Sequence, residues 1–379
     1  MTVKNRKLLF LFAIFLTLGM LLAACGGGDD SEGENADSES GSDSESNETT
    51  EASEESTDFS SAMVTDVGGV DDKSFNQSAW EGLQAWGEEH GLEEGEGFDY
   101  AQSNDDSDYQ PNLNRLVRED FNMVFGIGYK LEDAISEVAG QYPDTNFAIV
   151  DSVVEGDNIA SITFADHEGS FLAGVAAANK TNTDKIGFVG GTDSDLINKF
   201  ESGFVAGAKT VNPDIEVEVQ YAGAFDAPDD GKLIASNMYN NDIDIIYHAS
   251  GATGNGVFAQ AKDIKNNDAE REIWVIGVDR DQYEEGAIGD QNVTLTSMIK
   301  RVDNSVQQVS NMAMDGEFPG GEVLEFGVED EGVGLADTNE EAYTDDIAQP
   351  VDEWKQKIID GDVEVPQTHD ELDEYLNSL

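Results

Sequence analysis

The sequence predicts an α/β protein built as two doubly wound, Rossmann-like lobes joined by a hinge. Three observations predict it. Short apolar strands alternate with helix-period segments from Ser61 onward, the pattern of parallel sheets with right-handed crossovers. The alternation runs through two series within about 320 residues, more than one hydrophobic core usually spans. Polar and glycine residues gather where strands end, and in open α/β sheets that edge forms the ligand crevice.

Ahead of the fold lies an export signal. Lys4, Arg6 and Lys7 precede an apolar run from Leu8 to Leu22, the length of a signal-peptide core and short for a membrane span. The run ends in Leu22-Ala23-Ala24-Cys25, followed by three glycines. Small residues before a cysteine suit a lipoprotein signal peptidase, so residues 1–24 are expected to be removed and Cys25 to carry the lipid. Two or three acyl chains anchor a protein firmly, each buried methylene adding ~0.8 kcal/mol. Cys25 is the chain's only cysteine, which excludes an intramolecular disulfide. Residues 25–58 are rich in Ser, Glu, Asp and Gly; they can build no core and are expected to form an extended, disordered tether.

The first series opens with a strand at Ala62–Val67 and a turn at Gly68-Gly69. Ser74 and Gln77 have the spacing of a capping box, and Ala79, Trp80, Leu83 and Trp86 follow at helical period. A polar stretch leads to a helix through Leu113, Leu116 and Val117, a strand at Asn122–Ile127, a helix at Leu131–Tyr142, and strands at Phe147–Val150 and Ala160–Phe164. The second series begins after a helix at Ser170–Asn179. Its strands are Ile186–Val189, Glu216–Tyr221, Ile243–His248 and Ile273–Val278, separated by helices at Leu196–Lys209, Gly231–Asn240 and Gly256–Ile264. A strand at Thr294–Met298 and a helix at Val302–Met314 complete it, and helices are expected near Asp352–Ile359 and His369–Leu376.

Charge excludes several partners. The chain carries 80 acids against 20 bases, and the part after the tether alone is strongly negative. Such a surface does not displace counterions from nucleic acid and does not lie flat on an anionic bilayer. Catalytic patterns are thin. There is no Walker A loop, no G-x-S-x-G elbow and no H-E-x-x-H pair, and His90, His167, His248 and His369 are far apart. No EF-hand loop fits either, so neither a metal nor another cofactor is expected and an enzyme is disfavoured. Gly251, Gly254 and Gly256 follow a strand and open a helix, but their G-x-x-G-x-G spacing is not that of a dinucleotide loop. Backbone N–H groups at that helix start can hold a ligand oxygen; equally, the glycines can serve only the turn.

Two aromatics stand apart from the core pattern. Phe75 lies beside the first helix start, just beyond a strand end, and Phe200 on the first helix after the Gly190-Gly191 turn. One from each lobe can sandwich a planar base, a contact of roughly 1–3 kcal/mol. Phe204, on the same helix, is expected to pack against its own sheet.

The segment Val64–Gly82 resembles the opening signature of the basic membrane lipoprotein family, to which the purine nucleoside receptor A group belongs. The likeness continues through Glu168–Ala177, Gly187–Gly191, His248–Phe258, Val275–Tyr283 and Thr296–Val302. It implies a periplasmic-binding-protein type I fold with three hinge crossovers. One lobe then holds about 59–165 and 299–320, the other about 166–298 and 321–340, with a helical tail at 341–379. The resemblance implies the extracellular receptor of an ABC importer, monomeric and lipid-anchored to the cell membrane, that takes purine nucleosides. By the same resemblance Phe75 and Phe200 stack on the purine, Asn76 and Asp151 bond base edges, and Asp66 lines the crevice. The Gly254 backbone, Asp279 and Lys300 hold the ribose, with Lys300 neutralising Asp279. A carboxylate such as Asp279 suits a ribose diol, because hydrogen bonds to charged groups contribute about 1.5–3 kcal/mol. The absence of an arginine cluster favours a nucleoside over a nucleotide. A sugar or signalling-ligand receptor of the same fold is the alternative, and a nucleoside hydrolase, echoed weakly by Asp66, Asp71 and Asp72, is a remoter one.

Overall fold

A computed structural model describes residues 59–379. The expected export signal, Cys25 and the expected acidic tether lie outside the described residues.

Two six-stranded sheets organise the described residues. The first is laid down by β1 (Ser61–Val64), α1 (Phe75–Glu89), β2 (Phe98–Ala101), α2 (Tyr109–Arg118), β3 (Met123–Ile127), α3 (Glu132–Gln141), β4 (Asn146–Val150) and β5 (Ile159–Phe164). The chain then crosses into α4 (Asp166–Lys180), β6 (Lys185–Gly190), α5 (Asp195–Val211), β7 (Glu216–Tyr221), α6 (Pro228–Asn240), β8 (Ile245–Ala249), α7 (Gly254–Asn267) and β9 (Trp274–Asp279). A small hairpin, β10 (Ala287–Ile288) and β11 (Gln291–Asn292), precedes β12 (Thr294–Lys300). After these come α8 (Val302–Met314), β13 (Val323–Phe326), β14 (Val333–Leu335), α9 (Asp345–Ile359) and α10 (His369–Leu376).

The strand order is β13-β5-β4-β3-β1-β2 in the first sheet and β14-β12-β9-β8-β6-β7 in the second. All pairings in the first sheet are parallel. In the second, only β14 runs antiparallel, against β12. Central strands such as β1, β3 and β8 are buried along their whole length, because helices cover both faces, and this is why they read as apolar runs rather than alternating ones.

The chain passes between the sheets three times: at Ala165, at Arg301, and between β13 and β14. Two expected boundaries shift. Lys300 belongs to the second sheet as the last residue of β12. Val323–Phe326 was expected in the second lobe, but it pairs with Ser161–Phe164 and completes the edge of the first sheet beyond β5.

A core shared by both lobes runs through α1, α8, α4 and α5, while α2 and α3 cover the outer face of the first sheet and α6 and α7 that of the second. Helices α4 and α5 cross backbone to backbone: a Cβ added at Gly203 or Gly207 would overlap the carbonyl of His167 or Phe171. The C-terminal helices clamp this pair. Trp354 and Tyr375 pack edge-on against Phe171, and the Tyr375 hydroxyl bonds Thr210 Oγ1 at 2.8 Å. No described helix is long and apolar enough to cross a membrane.

Candidate ligand-binding site

The C-terminal strand ends of the two sheets face each other across one cleft of about 540 Å³ of empty space. Its walls come from the turns after β1, β3, β4, β8 and β9, the end of β12, and the first turns of α1 and α5. Seven of the eight expected ligand residues line it: Asp66, Phe75, Asn76, Asp151, Phe200, Asp279 and Lys300. Gly254 is absent from the lining. The loop Ser250–Ala252 faces the cleft in its place, and Gly254 sits under the His248 ring, which an added Cβ would strike. Asp72, Tyr129 and Phe225 also line the cleft but were not among the expected ligand residues.

The turn before α1 departs from the expected capping box. Ser74 makes no side-chain cap. Asp72 caps the helix, accepting from the backbone N–H groups of Ser74 at 2.8 Å, Asn76 at 2.9 Å and Gln77 at 3.1 Å. A carboxylate is as good a cap as a hydroxyl, and Asp72 frees the Ser74 hydroxyl to donate to Asp279 across the cleft. Asn76 is equally committed. Its amide nitrogen donates to Asp66 at 2.7 Å and to Asp72 at 2.9 Å, and its oxygen accepts from the Asp66 N–H at 3.2 Å. With both donors spent, Asn76 sets the carboxylates rather than offering a donor to a ligand.

Asp151 and Asp279 both stand at strand ends with left-handed backbone, φ 68° and 66°. Asp tolerates that conformation better than most residues, and such strain gathers at binding sites, where the surrounding structure fixes it. Lys300 lies between the two lobes, 1% exposed. Its Nζ is 2.6 Å from Asp151 Oδ1 and 3.1 Å from Asp166 Oδ1. Its direct partners are therefore Asp151 and Asp166, and the expected pairing with Asp279 is a longer-range attraction. The same ammonium is 5.3 Å from the Phe75 ring centre and 5.4 Å from that of Phe200, a cation–π floor between the two stacking candidates.

Burial governs the titration of this cluster. It pushes the carboxyls of Asp66 and Asp166 up to about 6 and that of Asp279 up to about 7, although Lys300 opposes the rise at Asp166 and Asp279. Asp72 is raised for the same reason. Burial alone would lower the Lys300 ammonium, but Asp151, Asp166 and Asp279 together hold it above the ordinary lysine value. The cleft is thus rich in acceptors and negative in balance. A neutral ligand with an aromatic face and several donors fits; an anion does not. Arg280 and Arg301, next to the site in sequence, pair instead with Glu81 and Asp303. Among the described residues no group of three or more His, Cys, Asp or Glu converges as a metal site.

Comparison with known proteins agrees with this geometry. The chain is 47% identical to the CD4+ T-cell-stimulating antigen of Listeria monocytogenes over 96% of its length and 99% of that protein's. It is 46% identical to the ABC transporter nucleoside-binding protein BmpA of Lactococcus lactis subsp. cremoris, covering 82% of this chain and 90% of the relative. An ABC transporter solute-binding protein of Aeropyrum pernix superposes with a TM-score of 0.75 at 25% identity, over 84% of this chain and 98% of the other. The family model described as Bmp, ABC transporter substrate-binding protein PnrA-like, matches residues 59–369. With two parallel-sheet lobes closing on one acceptor-rich cleft, the chain belongs to that Bmp family of ABC transporter substrate-binding proteins.

Proposed function

We propose that the protein captures purine nucleosides in the interlobe cleft and hands them to an ABC-type importer, acting as a monomeric binding protein rather than an enzyme. The observation that carries this reading is the pairing of Phe75 from one lobe with Phe200 from the other above a buried Lys300, with acidic acceptors around them. Purine stacks between the rings; Asp66 and Asp151 meet donors on the base edge, and Asp279 accepts from the ribose hydroxyls, with Lys300 donating beside it. The 46% identity to a nucleoside-binding relative supports the same ligand class. Lipid on Cys25 would hold the protein at the outer face of the cell membrane, with residues 25–58 as its tether.

The raised carboxyls give this reading a pH signature. Ligand donors bond the ionised form of Asp66 and Asp279, so binding must draw protons off groups that titrate near 6 and 7. Affinity is therefore highest above pH 7 and falls as pH drops through that window, approaching tenfold per unit for each carboxyl that must ionise. Titration of the full chain with guanosine and adenosine at pH 8 and pH 5.5 checks this. Tighter binding at pH 8 is expected; no binding of either nucleoside at pH 8 would refute the function.

A further inference from the structure

Three consecutive residues of the first lobe, Asp72, Lys73 and Ser74, each bond the second lobe. The Asp72 carbonyl accepts from Asn255 Nδ2 at 3.0 Å, the Lys73 carbonyl accepts from Gln282 Nε2 at 2.8 Å, and the Ser74 hydroxyl donates to Asp279. All three bonds are protein to protein, so they form whenever the lobes close. The next residue is Phe75, which enters the cleft.

Gln282 is the most constrained member of this set. It is 1% exposed. Its Oε1 accepts from the Val278 N–H at 2.9 Å and lies 3.1 Å from His248 Nε2. Its backbone N–H donates to Ser297 Oγ at 3.0 Å, and its carbonyl accepts from Thr294 Oγ1 at 3.1 Å. These contacts settle the amide orientation, because the Val278 N–H needs an acceptor and the Lys73 carbonyl needs a donor. They also settle the histidine. Nε2 carries the proton and donates to Gln282, leaving Nδ1 to accept from Ser250 Oγ at 3.4 Å. Ser250 in turn lines the cleft. On the other side, Lys73 is held in the left-handed region at φ 66°, a strained conformation for a non-glycine residue.

We infer that Gln282 is a positioning residue: it clasps the strained Asp72–Ser74 turn to the second lobe and so fixes Phe75 over the ligand and retains the ligand in the closed cleft. Two of the three bonds of the clasp are neutral and partly buried, and the third, from Ser74 to the Asp279 carboxyl, is buried. Beside it, the bidentate Arg280–Glu81 pair is half-buried and bridges the same two lobes. The inference rests on the interlobe cleft being the ligand site, but lobe closure can be read with or without a ligand.

Gln282→Glu isolates the interlobe bond. It keeps an acceptor for Val278 and His248 and replaces the donor to Lys73 with a carboxylate oxygen facing a carbonyl. In stopped-flow binding of guanosine to the full chain, dissociation is expected to quicken about tenfold, the loss of roughly one net hydrogen bond, with association changed less than about threefold. A residue that only supported the fold would not divide the two rates in this way. Spin labels at Val153→Cys and Leu233→Cys, both exposed and in different lobes, with Cys25→Ala, report closure directly. Q282E should shift the interlobe distance distribution to longer values. Unchanged dissociation together with an unchanged distance would overturn the clasp. If Q282E does not fold, Asn255→Ala removes only the neighbouring bond to Asp72 and should move both readouts the same way by a smaller amount; no movement would overturn it equally. Failure of the wild-type chain to bind guanosine would defeat the nucleoside reading, and the distance measurement would still decide the clasp.

Discussion

Lys300→Met is expected to destabilise the protein by about 3–5 kcal/mol near pH 8, the usual consequence of removing one partner from a buried ion cluster. The methionine fills most of the lysine's volume, so the loss is electrostatic. Asp151 and Asp166 lose a cation at 2.6 and 3.1 Å in a site closed to solvent, and Asp279 loses its nearby positive charge. Burial already lifts Asp166 to about 6 and Asp279 to about 7 with the lysine in place, and both rise further without it. A carboxyl raised in this way contributes fully to stability below its unfolded value near 3.9, and that contribution is lost as pH rises through the folded value. The deficit of the variant should therefore grow from pH 4.5 to pH 8. Denaturant unfolding of both proteins at the two pH values measures it; a variant as stable as wild type at pH 8 would show that the cluster does not hold the hinge together.

Phe200→Ala is expected to weaken guanosine binding at least about tenfold, the lower part of the range for one stacked base. Phe200 is 3% exposed and its ring lies over the Lys300 ammonium, so the truncation also removes the wall that keeps water from the ion cluster. Comparison with Phe204→Ala separates the two effects. Phe204 is buried against Phe188 and Tyr247 on the same helix and does not line the cleft. Loss of affinity confined to the Phe200 variant supports the sandwich, and equal losses in both would assign it to general damage of α5.

Much of this was legible in the residues. The two α/β series stood out because fully buried parallel strands are apolar runs, and Glu216–Tyr221, Val302–Met314 and His369–Leu376 were placed to the residue. What escaped were four-residue strands at the two edges of the first sheet, too short to show a period. Phe98–Ala101 is a two-sided edge strand embedded in acidic sequence, and Val323–Phe326 alternates between exposed and half-buried positions; each is defined by its partner strand. Helix α9 begins seven residues earlier than expected because Pro350, which sits inside it, reads as a break.

The candidate site divides in the same way. Seven expected residues line one cleft, five of them on the quoted motifs and two, Asp151 and Phe200, outside them. The roles inside it depended on contacts between segments distant in sequence: Asp166, which shares Lys300 with Asp151, and Gln282, which reaches across to Lys73. Asp72 stood out only as a weak echo of a hydrolase's aspartate cluster, not as a helix cap or cleft residue. Its capping of α1 comes from two residues before the N-cap position, a spacing the capping-box pattern does not read, so the pattern pointed to Ser74 instead.

The central claim is that the cleft selects a neutral purine nucleoside. Calorimetric titration of the full chain at pH 8 with guanosine, ribose and guanosine monophosphate tests it most directly. One-to-one binding of guanosine is predicted, with ribose silent and the monophosphate far weaker because the buried carboxylates repel its phosphate. Ribose binding as tightly as guanosine, or the monophosphate binding more tightly, would contradict the account.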